Sequence, residues 1–168
     1  MYMKKLYLIG GTMGVGKTTT CQNMKRKLDN CVFLDGDWCW DMHPFQVTEE
    51  TKHMVEENIV FLLNSFLRCS AYENIVFCWV MHQQFIIDSI VARLKTENCR
   101  VHSISLVCNG QALEKRLRKD IEAGIRSEDD IRRSLERLPL YQKLNTVKVD
   151  VSELTVEQAA DRIIRISC

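Results

Sequence analysis

The chain has 168 residues, 46% of them hydrophobic and 27% charged, which is enough for one full hydrophobic core and short for two. Its 23 Lys and Arg stand against 22 Asp and Glu, a formal net charge of +1. That balance makes no case for nucleic acid or a membrane surface as a partner, so any basic function has to be local. The eight cysteines include no C-x-x-C pair, and several lie inside apolar runs. Reduced, buried thiols in a cytoplasmic protein are therefore expected, rather than a disulfide or zinc framework.

In chain order, Leu6–Ile9 (LYLI) reads as the first strand, short and continuously apolar as a strand buried on both faces should be. It is too short for a secretory leader, and no apolar run approaches a membrane span. Next comes Gly11-Thr12-Met13-Gly14-Val15-Gly16-Lys17-Thr18, which matches G-x-x-x-x-G-K-[ST]. The glycines let the backbone curl until several N–H groups point inward around a phosphate. A helix from Lys17 to Leu28 adds its positive N-terminal end. Lys17 reaches the outer phosphates, and the Thr18 hydroxyl can ligate Mg²⁺. Gly11 through Thr18, with Thr19, are the candidate nucleotide-binding residues, and ATP is the expected nucleotide.

Cys31–Leu34 reads as the second strand and runs into Leu34-Asp35-Gly36-Asp37-Trp38. In an open parallel sheet, ligands bind beyond the carboxyl ends of the strands. Alternate spacing puts Asp35 and Asp37 on one side. One can hold Mg²⁺ or its waters, and the other can orient and deprotonate an attacking hydroxyl. Alone, Asp-Gly is a turn dipeptide; beside a phosphate loop the functional reading takes precedence. Two stretches, residues 38–47 (WCWDMHPFQV) and residues 79–84 (WVMHQQ), are rich in aromatics and histidines: Trp38, Trp40, His43, Phe45 and His82. Aromatics with a few polar groups suit a flat or partly apolar acceptor such as a base, a nucleoside or an antibiotic. Trp79, inside a strand, reads as core.

Glu49–Arg68 is the next expected helix, capped by Thr48, with Val55, Ile59, Leu62, Leu63, Phe66 and Leu67 on its apolar stripe. Ile75–Val80 reads as a strand, Phe85–Leu94 as a helix repeating Ile86, Ile90 and Leu94, and Val101–Val107 as a strand. Gln111–Ala123 places Leu113, Leu117 and Ile121 on one face and stops at Gly124. Ser127 and Asp130 form a capping box for a helix ending near Pro139. Val147–Val151 is the last strand. Thr155 with Gln158 opens a last helix that buries Val156, Ala159, Ile163 and Ile166. Alternating strands and helices imply a parallel sheet covered on both faces.

The phosphate loop, the D-G-D after the second strand and an arginine-bearing segment at residues 113–138 together resemble small-molecule kinases of the nucleoside-monophosphate-kinase fold. Shikimate and gluconate kinases, chloramphenicol phosphotransferase and tunicamycin-resistance-like proteins are such relatives. The pattern spans the chain, although only the phosphate loop is highly specific. The resemblance implies an α/β, three-layer P-loop NTPase fold, with a five-stranded parallel sheet in the order 2-3-1-4-5 and helices on both faces. Residues 1–168 would then form a single domain with a short helical lid over about 116–137. It also implies that ATP sits on the loop, that Asp35 assists a Mg²⁺ held by Thr18, that Asp37 is the base toward the acceptor hydroxyl, and that the acceptor pocket lies between the second strand, the next helices and the end of the third strand, at residues 38–47 and 79–84.

In the lid, guanidinium donors stabilise the charge spread over a transferring phosphoryl group. Arg126, between the Gly124 stop and the Ser127 cap, occupies a hairpin tip that can close over ATP. Arg126 and Arg133 are expected on the phosphates and Arg116 along the base. Arg118 and Arg132 read as a solvated face paired with Glu114, Asp120, Glu128 and Glu136, and Arg137 fits either role. Two positions depart from the resemblance: Asp120 stands where many members carry an arginine, and strand three is followed by Met81, His82 and Gln83 rather than an acid.

The function expected is ATP-dependent transfer of a phosphoryl group to a small acceptor, a nucleoside, nucleotide or antibiotic-like hydroxyl, with Lys17, Asp37, Arg126 and Arg133 as the catalytic set. The alternative is a P-loop ATPase, nucleotide-binding module or resistance protein without a small acceptor; no guanine-reading N-K-x-D is present. Monomer and dimer are both compatible with the sequence.

Overall fold

A computed structural model describes residues 3–168 of the chain. Each apolar run expected as a strand forms one: β1 Lys4–Gly10, β2 Cys31–Asp35, β3 Asn74–Trp79, β4 Cys99–Val107 and β5 Val147–Asp150. They pair in parallel in the order β2-β3-β1-β4-β5. This is the P-loop kinase-like arrangement. The helices are α1 Lys17–Lys27, α2 Glu49–Arg68, α3 Gln84–Ala92, α4 Gly110–Glu122, α5 Glu128–Arg137 and α6 Val156–Ile166.

The strands are continuously apolar because both of their faces are covered. Successive residues of β1 go to opposite cores. Tyr7 and Ile9 pack with Cys21 and Met24 of α1, Leu113 and Leu117 of α4 and Ile163 of α6. Leu6 and Leu8 pack with Ile59 and Leu63 of α2 and Ile90 of α3. The two crossings place β1 in the middle of the sheet, so its carboxyl end and that of β2 open onto the same edge.

Local signals specify most boundaries. Thr48 and Thr51 cap α2 reciprocally, with a threonine doing what Glu or Gln does in the usual capping box. Thr155 and Gln158 do the same for α6. Three apolar stripes differ from expectation. In α3, Ile87 rather than Ile86 is buried alongside Ile90. In α6 the buried residues are Ala159, Ala160 and Ile163, while Val156 and Ile166, the first and last residues of the helix, are exposed, Val156 at the rim of the cleft described below. In α2, Val60 is buried while Leu62 and Phe66 are only partly covered.

Of the eight free cysteines, Cys21, Cys78 and Cys108 are buried, and the other five are partly or fully accessible. Burial of thiols is thus narrower than the apolar runs imply, because Cys31 and Cys99 open their strands at the rim of the sheet. Among the described residues, no helix is long and apolar enough to cross a membrane.

Candidate functional site

At the carboxyl end of β1 the chain curls through Gly11–Gly16 and enters α1 at Lys17. Gly14 has a φ of 82°, and a Cβ there would lie 2.4 Å from Leu117 Cδ2 of α4. Only glycine satisfies both the backbone and the close approach of the helix. Gly16, left-handed, precedes α1 without a side-chain cap, and no acid occupies the helix's first turn. By contrast, Thr48, Asn109 and Thr155 cap α2, α4 and α6. The first N–H groups of α1 are therefore left for an anion.

Lys17 donates to the Thr12 carbonyl at 3.0 Å. Burial pulls its ammonium below the ordinary lysine value, against the pull of Asp37 and Asp35. Met13 through Thr19 line a cleft of about 1630 Å³. Gly11 and Thr12 lie behind it. Both are buried, and Thr12 Oγ1 donates to the Ser134 carbonyl of α5 at 3.1 Å. These two positions shape the loop and tie it to α5.

The two carboxylates are joined to this loop through Thr18. Its hydroxyl donates to Asp35 Oδ2 at 2.6 Å, and Asp35 Oδ1 accepts the Asp37 N–H at 3.0 Å. Asp35 thereby caps a 3-10 turn over Gly36–Cys39. Asp35 and Asp37 thus sit on one side through a turn rather than through strand alternation. Gly36 is required by packing: a Cβ there would lie 2.6 Å from Trp79 Cγ. Asp35 is buried, whereas Asp37 is open to the cleft yet enclosed by its walls. Burial and the Asp35 charge push the Asp37 pKa up, while Lys17 and Arg126 oppose the rise.

Thr18 and Asp35 offer two hard oxygen ligands at one point. Mg²⁺ characteristically takes one or two protein oxygens and completes its shell with phosphate and water, so this pair fits it. Among the described residues, no group of three or more His, Cys, Asp or Glu assembles a separate metal site.

The arginine-bearing segment forms the α4–α5 hairpin over the same cleft. Arg116 Nη2 donates to the Val151 carbonyl at 2.7 Å and Nη1 approaches the Val15 carbonyl at 3.5 Å, bracing the phosphate loop against the turn after β5. Arg126 Nε donates to Asp120 Oδ2 at 3.0 Å, and Arg133 Nη2 to Asp130 Oδ1 at 2.7 Å. Arg116, Arg126, Arg133 and Arg137 all line the cleft. Arg118 pairs with Glu114 and Glu128, and Arg132 with Asp129, on the solvated face. Asp120 departs from its expected place on that face and lines the cleft instead.

The far end is aromatic. Trp40 meets Phe45 edge-on at 5.3 Å, and Trp38, Trp79 and Phe85 complete the wall. Trp79 is therefore not purely a core residue: one side packs against Gly36 and the other faces the cleft. His82 also lines it, its buried Nδ1 without a partner among the described residues, and burial followed by Arg137 pushes its pKa down. His43 does not line the cleft. Sequence reasoning missed Glu49, Lys52, His53 and Glu56, which do. Their i, i+3, i+4, i+7 spacing is a second, polar stripe along α2 that the apolar stripe obscured.

Comparison with known proteins agrees with this architecture. A search of curated protein sequences returns no match. Among solved structures, a tunicamycin resistance protein of Deinococcus radiodurans is similar at 19% identity and a TM-score of 0.75, covering 98% of this chain and 95% of that one. A gluconokinase from Sinorhizobium meliloti 1021 is similar at 17% identity and a TM-score of 0.69, over 99% and 95%. Shikimate kinase from Aquifex aeolicus is similar at 17% identity and a TM-score of 0.63, over 97% and 95%. At these identities the likeness is one of fold. The family model described as an AAA domain matches residues 8–135, well over half of the chain and the span from β1 to α5, and the protein belongs to that family.

Proposed function

We propose that the protein is an ATP-dependent phosphotransferase that moves the γ-phosphoryl group of ATP to a hydroxyl of a small, partly aromatic acceptor. The observation that carries this reading is the linkage Thr18–Asp35–Asp37, which places two carboxylates at the mouth of an uncapped phosphate loop and against an aromatic wall. A hydrolytic switch needs no such wall.

In this reading the loop N–H groups and Lys17 hold the triphosphate, with Lys17 leaving the Thr12 carbonyl for a phosphate oxygen. Thr18 and Asp35 would hold Mg²⁺, which would supply charge neutralisation on the phosphates. Asp37 accepts the proton of the acceptor hydroxyl. The hydroxyl oxygen forms the new P–O bond as the bond to the β-phosphate oxygen breaks, and ADP leaves with that electron pair. A raised pKa brings Asp37 nearer to neutrality and makes it a stronger base than an ordinary carboxylate. Arg126 and Arg133 offer donors to the phosphoryl oxygens, and Arg116 lies along the base. Trp38, Trp40, Phe45 and Trp79 support a flat acceptor, a nucleoside, nucleotide or antibiotic-like molecule.

The test is ADP release from Mg²⁺ATP across nucleosides, nucleoside monophosphates, sugar acids, shikimate-like acids and hydroxylated antibiotics. A strong acceptor-dependent rise establishes the transferase and its substrate class. A flat panel with clear ATP binding sinks it in favour of an ATPase or nucleotide-binding module without a small acceptor.

A further inference from the structure

Asp120 occupies the last turn of α4, where the helix end is itself negative. A carboxylate there is locally unfavourable, and a lysine or arginine is the residue a helix terminus prefers. Positions that break a local rule tend to serve something else. Two contacts show what Asp120 serves. Its backbone carbonyl accepts the Ile125 N–H at 2.9 Å, while Gly124 N–H donates to Ile121 at 2.8 Å with Gly124 at a φ of 72°. This closes the helix in a Schellman-type turn. Its carboxylate then accepts from Arg126 Nε at 3.0 Å. One residue therefore fixes both the path of the hairpin tip and the side chain just beyond it.

The pair is half-buried, at 28% exposure for Arg126 and 36% for Asp120, and both residues line the cleft. The bond uses Nε alone. Among the described residues, neither Nη nitrogen of Arg126 donates a hydrogen bond. Arg133 is held differently: its Nη2 is consumed by Asp130. Arg126 also lies close enough to Asp37 for its charge to act on that carboxylate.

We propose that Asp120 is a positioning residue, holding Arg126 by its Nε so that both Nη nitrogens stay free for the phosphoryl group in transfer. This rests on the transferase reading for its purpose, but its test needs no acceptor. A guanidinium anchored at one edge loses less side-chain entropy when it meets its ligand than a free one does. Had Asp120 gripped the Nη edge, it would compete with the phosphoryl oxygens, and its removal would tighten binding.

The experiment measures binding of MgADP, with and without aluminium fluoride as the mimic of the phosphoryl group in flight, to the full chain and four variants. Asp120→Asn and Arg126→Gln are each expected to weaken binding of MgADP with aluminium fluoride by about tenfold, the size of a well-placed charge-assisted hydrogen bond. MgADP alone should bind within about twofold of wild type, which also shows that the fold is intact. The double variant should be no weaker than Arg126→Gln, since Asp120 acts only through Arg126. Asp120→Glu should recover most of the loss. Unchanged or tighter binding of the mimic by Asp120→Asn overturns the proposal, as does a further loss in the double variant. The outcomes separate from the acceptor panel. A flat panel with these losses present removes the transferase and supports the pairing. An active transferase whose Asp120→Asn variant binds the mimic normally overturns the pairing alone.

Discussion

At the nucleotide end of the cleft, the groups that meet the ligand are mostly backbone N–H donors, held by glycine geometry and by buried neighbours such as Thr12 and Leu117. At the acceptor end they are side chains on a turn and on two helix starts, and Trp38, Phe45 and Phe85 are 55%, 59% and 63% exposed. The first end is therefore fixed largely by backbone geometry, which suits a phosphate. The second rests on exposed side chains, which suit discrimination among acceptors. Changes at the nucleotide end should abolish activity with any acceptor, whereas changes at the acceptor end should alter which acceptor is used and how well.

The largest effect is expected for Lys17→Ala. With the cation gone, the phosphates lose their main side-chain partner, and turnover should fall by about 10³ or more with every acceptor. ADP release measures it, and retained turnover would break the division between the ends at its firmest point.

Next comes Asp37→Asn, at the junction. ATP affinity should stay within a few-fold, while transfer falls by about 10²–10⁴, the range for loss of a general base. The pH profile sharpens this. Burial and Asp35 raise the Asp37 pKa, so its charged form is lost as pH falls through a value above that of an ordinary aspartate. The acid limb of kcat/KM should thus lie above that of an ordinary aspartate. Arg126→Gln removes a cation that favours the charged form, so the limb should move to still higher pH. A limb that stays put in Arg126→Gln separates the two residues.

At the acceptor end, Trp40→Ala should raise the acceptor KM by about tenfold, the worth of one aromatic contact with a flat partner. The KM for ATP should hold within about twofold. An equal rise in both would mean that the two ends are coupled, and Gly36, wedged between Asp37 and Trp79, is where that coupling would run.

How legible each end was follows from the same division. The phosphate loop and the strands were readable because they rest on local rules, glycine dihedrals, continuous apolar runs and capping pairs, whereas the sheet order pairs residues far apart in the chain and came only from the kinase resemblance. Asp35 and Asp37 were found by their place at the end of β2, but their geometry was not, because the Asp35 carboxylate accepts the Asp37 N–H and caps a 3-10 turn where strand alternation was expected. The role of Asp120 was hidden for a similar reason. As a helical acid among arginines it has many possible i, i+4 partners, and only the folded tip selects Arg126 over Arg116. The polar stripe of α2 was overlooked because it faces a cleft that exists only after the lid, the turn and the helix come together.

The smallest effect is expected for Arg118→Ala. Like Arg126, Arg118 belongs to the hairpin and pairs with acids, Glu114 at 2.6 Å and Glu128 at 3.5 Å. Unlike Arg126, it stands on the solvated face, where water and salt screen an ion pair and ordering two long side chains offsets most of the attraction. The cleft does not see it. Turnover and the affinity for MgADP with aluminium fluoride should therefore both stay within about twofold of wild type, in contrast to the tenfold loss expected for Arg126→Gln. The two substitutions remove the same charge from the same hairpin, so their difference isolates position from net charge. If Arg118→Ala instead weakened the mimic as much as Arg126→Gln does, the lid would be acting through its overall positive field, and the assignment of Arg126 as the phosphoryl donor would fall with it.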